Sequence, residues 1–372
     1  EFMTKHSDVV IVGGGVMGCA TAYYLARRGI TSTVFEQNIF GWGASGATAG
    51  VVGPLWHVPH DNEPYFELAL KSLRMFPTLA SDLTEAGLDP QYRQSGVLKV
   101  AFTEELAGTL KDDLAWQSDF NMGIEWLDAQ EVSDREPDIS PRVLGGVYSP
   151  QEGYVVGQSL VDSLVHAGTQ LGVRFFDKTE VFGIETEASR VVGVRTAAGG
   201  YEAGHVVLAS GPWTGIATRW IPEDVPIRPI KGQRILLRLP GLLPRSPVHG
   251  FFGYCVPQPD GGILVAATRH EYEFDQVVTV GAIADMIKAA VDLYPKLKDA
   301  QFDSARVGVR PGTPDDVPII GLVPGWDGLS IVAGHDAVGI MTAPATADSL
   351  AELIASGDGV PLEPFSLGRF SQ

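Results

Sequence analysis

The chain has 372 residues, 45% of them hydrophobic, enough to bury a sizeable core in two domains or in one domain with a large insertion. Its 27 Lys and Arg against 45 Asp and Glu give a formal net charge of -18 with no basic block, which argues against nucleic acid or an anionic membrane as a partner. Two cysteines, Cys19 and Cys255, are too few for a disulfide framework and fit a reducing compartment, the cytoplasm, and no run is long enough to span a bilayer. Met3 reads as the natural initiator, with Glu1 and Phe2 a remnant ahead of it.

"DVVIVGGGVMG" reads as a buried strand over Val9–Val12 that runs into Gly13, Gly15 and Gly18, with a helix following at once. "CATAYYLARRG" carries that helix to Gly29, and "TSTVFE" reads as a second strand closing on Glu36. The glycines divide the work: Gly13 allows the tight turn, Gly15 lets backbone approach a pyrophosphate, and Gly18 lets helix and strand pack closely. The anion sits at the helix N-terminus, where unpaired N–H groups favour negative charge. Glu36 accepts from an adenosine ribose, and its charge repels a 2'-phosphate. The order of strand, turn, helix, strand and acid therefore predicts a dinucleotide site.

That fingerprint alone does not choose between FAD and NAD. "GWGASGATAGVVGP", residues 41–54, is a second run of tiny residues with Ser45 and Thr48 as hydroxyls, suited to something wide and flat. "HVVLASGPWT" is a buried strand ending at Gly211, and "GLSIVAGHDAVGIMTAPATADSLAELIA" is a strand, a glycine loop and a long helix that returns the chain to the nucleotide site. The loop Gly334–Met341 can aim N–H groups at a flavin's pyrimidine edge, which a nicotinamide would not need.

Across these segments, and across "EGYVVGQSLVDSL", "RPIKGQ", "GYCVPQPDGGILVAAT" and "VRPGTPDDVPIIG", the chain resembles the D-amino acid oxidase superfamily of FAD-dependent amine oxidases, most closely its glycine oxidase and sarcosine oxidase branches. The resemblance implies an α/β fold of the glutathione-reductase-like FAD type: a Rossmann-type FAD-binding domain interleaved with a mostly antiparallel substrate domain. The motifs place FAD-binding pieces at 1–82, 146–220 and 306–372, and substrate-binding pieces at 83–145 and 221–305. Runs such as "YRQSGVLKVAF" and "GGILVAATRHE" supply the roof strands, with "VGAIADMIKAAVDLYPKL" an amphipathic helix on the outer side.

By resemblance, FAD is held without a covalent link. Its contacts are expected at Gly13, Gly15, Val16, Met17, Gly18, Glu36 and Gln37; at Ala44, Ser45, Thr48, Gly50 and Val51; at Val181, Gly211 and Trp213; and at Gly334, His335, Val338, Gly339, Ile340 and Met341. Arg310 matches an arginine that binds substrate carboxylate, and Tyr254 a tyrosine that helps hold it. Guanidinium suits that role because it stays charged and grips a carboxylate through two parallel hydrogen bonds. The competing reading pairs Arg310 with a remote acid, Glu152 or Asp336.

Glycine oxidases carry a basic residue at the position of Ala337 and methionine at that of Val51, so this pocket is expected to be more open and to favour a larger D-amino acid, an N-methyl amino acid or a cyclic imino acid. The lysine and flavin-linking cysteine of sarcosine oxidases are missing, which leaves oxygen, a quinone or a carrier protein as electron acceptor. A homo-oligomer is compatible with the sequence. Two other functions share this fold: a 2-hydroxy acid dehydrogenase, in which His57 is an essential base, and a flavin subunit active only within a complex. His335 and His57 are otherwise read as ordinary hydrogen-bonded histidines, and Asp315 and Asp316 as solvated.

Overall fold

The structure is a computed structural model that describes residues 6–250, 253–357 and 362–371; Met3 and the two residues before it lie outside these. The strand His6–Val12 is central to an eight-stranded sheet. It pairs in parallel with Ser32–Phe35 on one edge and Gly199–Leu208 on the other. Arg174–Phe176 continues the parallel order beyond Ser32–Phe35, and Leu329–Ala333 beyond Gly199–Leu208. The apolar runs of these strands are buried because helices cover the sheet. Helices Val16–Ala26, Glu63–Glu85, Gly157–Gln170 and Gly339–Ser356 share one core, built on Cys19, Leu25, Phe76, Leu160 and Leu350.

A nine-stranded sheet stands apart from the first. Its spine is the antiparallel pair Arg228–Arg238 and Gln301–Gly312, in register from Arg228 opposite Gly312 to Arg238 opposite Gln301 with one shift after Leu236. Gly253–Pro257 and Ile263–Ala266 extend it, and Val248–Gly250 joins it in parallel to Val97–Ala101. The helix Val280–Leu293 lays Ala282, Met286 and Leu293 against Ile235 and Val265, as its amphipathic spacing predicts. Gln301–Gly312 is one unbroken strand of this sheet and so runs across the expected boundary at 305/306.

Among the described residues, no helix is long and apolar enough to cross a membrane.

Candidate active site

Residues of both sheets line a cavity of about 490 Å³. At one end lies the glycine turn. Gly13 has φ +115°, a conformation side chains disfavour, and a Cβ there would meet the Ala209 carbonyl oxygen at 2.4 Å. A Cβ on Gly18 would lie 2.0 Å from Gly13 O, so helix and strand touch backbone to backbone. The helix starts after Gly15, which offers no side-chain cap, and Ser45 Oγ accepts from Val16 N at 2.9 Å. Glu36 closes the second strand and lines the cavity, while its two oxygens accept from Gly14 N and Asn38 N, each at 2.8 Å. Those bonds hold the carboxylate beside the turn and leave it further acceptor capacity.

Most expected contacts do line this cavity: Gly13, Gly15, Val16 and Met17; Glu36 and Gln37; Ala44, Ser45, Thr48, Gly50 and Val51; Val181, Gly211 and Trp213; His335, Val338, Gly339 and Ile340. Three expected contacts do not line it. Gly18 packs against Gly13, Gly334 against Thr313, and Met341 is core at 1% exposure.

Arg310 and Tyr254 line the same cavity. Period-two alternation puts Gly308 and Arg310 on one face of their strand, with Gly232 on the neighbouring strand beneath the guanidinium. A Cβ at Gly232 would meet Arg310 Nη2 at 2.6 Å, so that glycine makes the room. Nη1 donates to Thr268 O at 3.3 Å, and among the described residues Arg310 has no carboxylate partner. Both acids of the competing reading are engaged elsewhere. Asp336 pairs with Arg269 at 2.7 Å, and Glu152 accepts from Leu55 N at 2.9 Å. Burial lowers the Arg310 pKa and nearby Asp336 opposes that, but a guanidinium remains cationic.

Tyr254 Oη lies 2.9 Å from His57 Nε2, and its ring meets His249 edge-on at 4.6 Å. His249 is opposite Tyr254 across a strand pair. Burial, reinforced by the Lys99 charge, lowers His57 to about 4 and His249 to about 3, and burial raises the Tyr254 phenol well above its ordinary value. All three rings are neutral at working pH. Arg310 therefore brings a fixed positive charge to this corner of the cavity wall, where none of the three rings does.

Sequence reasoning missed His249 and Arg234, both in the cavity wall. Arg234 shares the Gly46 carbonyl with Arg306, at 3.2 and 2.9 Å, and its buried Nε has no partner among the described residues. Alternation from Gly232 in "KGQR" is the signal that could have found it. His249 needed the pairing of two distant strands. His335 is buried, with Nε2 at 3.4 Å from Thr346 Oγ1. Asp315 and Asp316, read as solvated, are both exposed and also pair at the surface with Arg369 and Arg228. No group of three or more metal-ligating side chains occurs among the described residues.

A mixed sheet with a parallel nucleotide-type centre, a glycine turn closed by an acid and a cavity under a mostly antiparallel roof define a dinucleotide-binding oxidoreductase. Residues 8–353 match the family described as FAD dependent oxidoreductase, and the chain belongs to that family. It is 33% identical over 371 residues to a glycine oxidase of Geobacillus kaustophilus (strain HTA426), covering 99% of this chain and 98% of that one. The crystal structure of glycine oxidase from Geobacillus kaustophilus superposes with a TM-score of 0.92 at 32% identity, over 98% of this chain and 99% of that one. That of iminodiacetate oxidase from Chelativorans sp. BNC1 gives 0.88 at 27% identity, over 96% and 98%. The protein is an FAD-dependent oxidoreductase of amines or amino acids.

The residues present fit FAD. The helix start, where Gly15 carries no side chain and Ser45 Oγ occupies the Val16 N–H, suits a pyrophosphate, Glu36 suits a ribose, and the tilted rings of Trp42 and Trp213, 6.2 Å apart in the cavity wall, offer apolar surface to a broad planar group.

Proposed function

We propose that the substrate is a small amino acid or secondary amine whose carboxylate is held by Arg310 and Tyr254, with oxidation at the carbon bearing nitrogen. The observation that carries this reading is Arg310 itself: a cation in the cavity wall, bonded among the described residues to one carbonyl and to no acid. Bound FAD supplies the two-electron acceptor. The guanidinium fork fixes the substrate's carboxylate, and with it the direction of the adjacent carbon. When His57 Nε2–H donates to Tyr254 Oη, the phenol keeps its own proton for the same carboxylate. The amine must arrive uncharged, so activity rises towards alkaline pH. His57, held near 4, is a poor base for an alcohol, which weighs against the hydroxy acid reading.

Ala337 and Val51 both line the cavity and are small, which supports a D-amino acid, N-methyl amino acid or cyclic imino acid larger than glycine. The imine product hydrolyses to an oxo acid with release of ammonia or an amine. We assign 1–82, 146–220 and 306–372 to cofactor binding and the rest to the substrate side, with the strand Gln301–Gly312, which crosses the 305/306 boundary and carries Arg310, shared between the two. Two unpaired buried cysteines support a cytoplasmic site.

The test is the visible spectrum of the purified protein without oxygen, during addition of glycine, sarcosine, D-alanine, D- and L-proline and iminodiacetate, with lactate and glycolate as controls. Bleaching by an amine and not by the hydroxy acids is expected. Bleaching by a hydroxy acid alone would overturn the reading. Admitting air to the bleached protein separates oxygen from a quinone or carrier protein as acceptor.

A further inference from the structure

His57 reaches Tyr254 from a turn of four residues, Pro54–His57. The turn's own backbone bonds are weak anchors: Trp56 N to Gly53 O at 3.3 Å and Val58 N to Pro54 O at 3.2 Å. So short a helix does not hold itself in place. Gly53 gives it no side-chain cap.

Two buried side chains from distant parts of the chain hold it from inside. Glu152, 0% exposed, lies between the strands Gly145–Ser149 and Gly153–Val155, and its Oε1 accepts from Leu55 N at 2.9 Å. Gln117, 1% exposed at the end of the helix Glu104–Gln117, donates through Nε2 to Leu55 O at 3.2 Å. Both polar groups of the Leu55 peptide are thus occupied by core side chains, two residues before His57. No cation meets the Glu152 carboxyl among the described residues; Lys99 Nζ instead lies 5.3 Å from the Trp56 ring centroid. Ser149 and Trp56 also act on this carboxyl, but Ser149 Oγ, Trp56 Nε1 and Glu152 Oε2 close no hydrogen bond among the described residues. Burial raises the carboxyl to about 8, and the Leu55 N–H, Ser149 and Trp56 only partly offset this, so Glu152 is mainly an uncharged acceptor at neutral pH.

We propose that Glu152 is a positioning residue which, with Gln117, clamps the Leu55 peptide and thereby sets where His57 meets Tyr254 at the carboxylate end of the site. The inference rests on the amine-oxidation reading. Glutamine at 152 keeps an uncharged oxygen for Leu55 N–H; alanine leaves that N–H buried without a partner.

The test is a double-mutant cycle read by anaerobic flavin reduction with an amine that bleaches the wild-type protein, giving a limiting rate and a half-saturating concentration. FAD content is measured alongside. Glu152→Gln is expected to stay within about threefold of wild type in both quantities. Glu152→Ala is expected to raise the half-saturating concentration about tenfold or more, with FAD content retained and a smaller change in limiting rate. Combined with His57→Ala, it should add nothing to the effect of His57→Ala alone.

Multiplying effects in the double variant, or a glutamine variant as impaired as the alanine one, would overturn the inference. Should Glu152→Ala fail to hold FAD, Gln117→Met enters the same cycle: it removes the N–H donor at similar volume, and its effect must likewise vanish in the His57→Ala background. A wild-type flavin that no amine bleaches overturns the function itself and this inference with it. Bleaching with independent effects of Glu152 and His57 overturns only the clamp.

Discussion

Replacing Arg310 with Leu removes the charge of the substrate corner and leaves the rest of the wall in place. Among the described residues the guanidinium donates to Thr268 O and to no acid, so little of the fold depends on it. Its burial without a counter-charge is a standing cost, and the variant should unfold at an equal or higher temperature than wild type. The loss falls on the substrate, whose carboxylate would enter a desolvated site without its partner. Breaking a buried charge pair costs about 2 to 5 kcal/mol, or roughly thirtyfold to a few thousandfold in kcat/KM. The assay is steady-state kinetics with the best amine substrate, beside FAD content and a thermal melt. An unchanged kcat/KM with FAD bound would refute the role of Arg310, and a large drop in melting temperature would refute its stated isolation from the fold.

Gly232→Ala places a Cβ 2.6 Å from Arg310 Nη2 and should displace the guanidinium, raising KM about tenfold or more while FAD stays bound; an unchanged KM would count against the geometry. Glu36→Ala removes the acceptor that holds Gly14 N and Asn38 N beside the glycine turn, and should weaken FAD retention in equilibrium dialysis, where undiminished affinity would exclude Glu36 from the cofactor site. Burial lowers His335 and His249 to about 3, below their ordinary value near 6.5, so the unfolded chain binds protons first on acidification. Their contribution to stability is full above pH 6.5 and is lost as the pH falls towards 3; a melting temperature that does not fall over that range would contradict it. Glu152 is shifted upward, so its contribution is full below its ordinary value near 4.5 and is lost as the pH rises through about 8. Glu152→Gln should flatten that part of the melting profile, and an unaltered slope would show that the carboxyl is not uncharged when folded.

The nucleotide-binding half was legible because its signals are local. A strand ending in the apolar run Val9–Val12, glycines at fixed spacing, and an acid at the end of the next strand lie within forty residues, and the structure brings them to one turn. The long C-terminal helix was equally plain, with Gly334 breaking the strand before it. The roof's strand content was readable, but its register was not. His249 reaches the site because Val248–Gly250 pairs with Gly253–Pro257 on one edge and with Val97–Ala101 on the other, a pairing no short window encodes. The hold of Glu152 and Gln117 on Leu55 is non-local in the same way, spanning 97 and 62 residues. Arg310 was found through its motif, while its freedom from an acid depended on where Asp336 and Glu152 turned.

The most direct test of the account compares an amino acid with its own amide, for example D-proline with D-prolinamide, by anaerobic flavin bleaching. The amide keeps the amine and the oxidisable carbon but lacks the charge that Arg310 recognises. The account predicts bleaching by the acid at concentrations where the amide, roughly a hundredfold or more weaker, leaves the flavin yellow. Equal bleaching by both would show that carboxylate recognition at Arg310 is not what places the substrate.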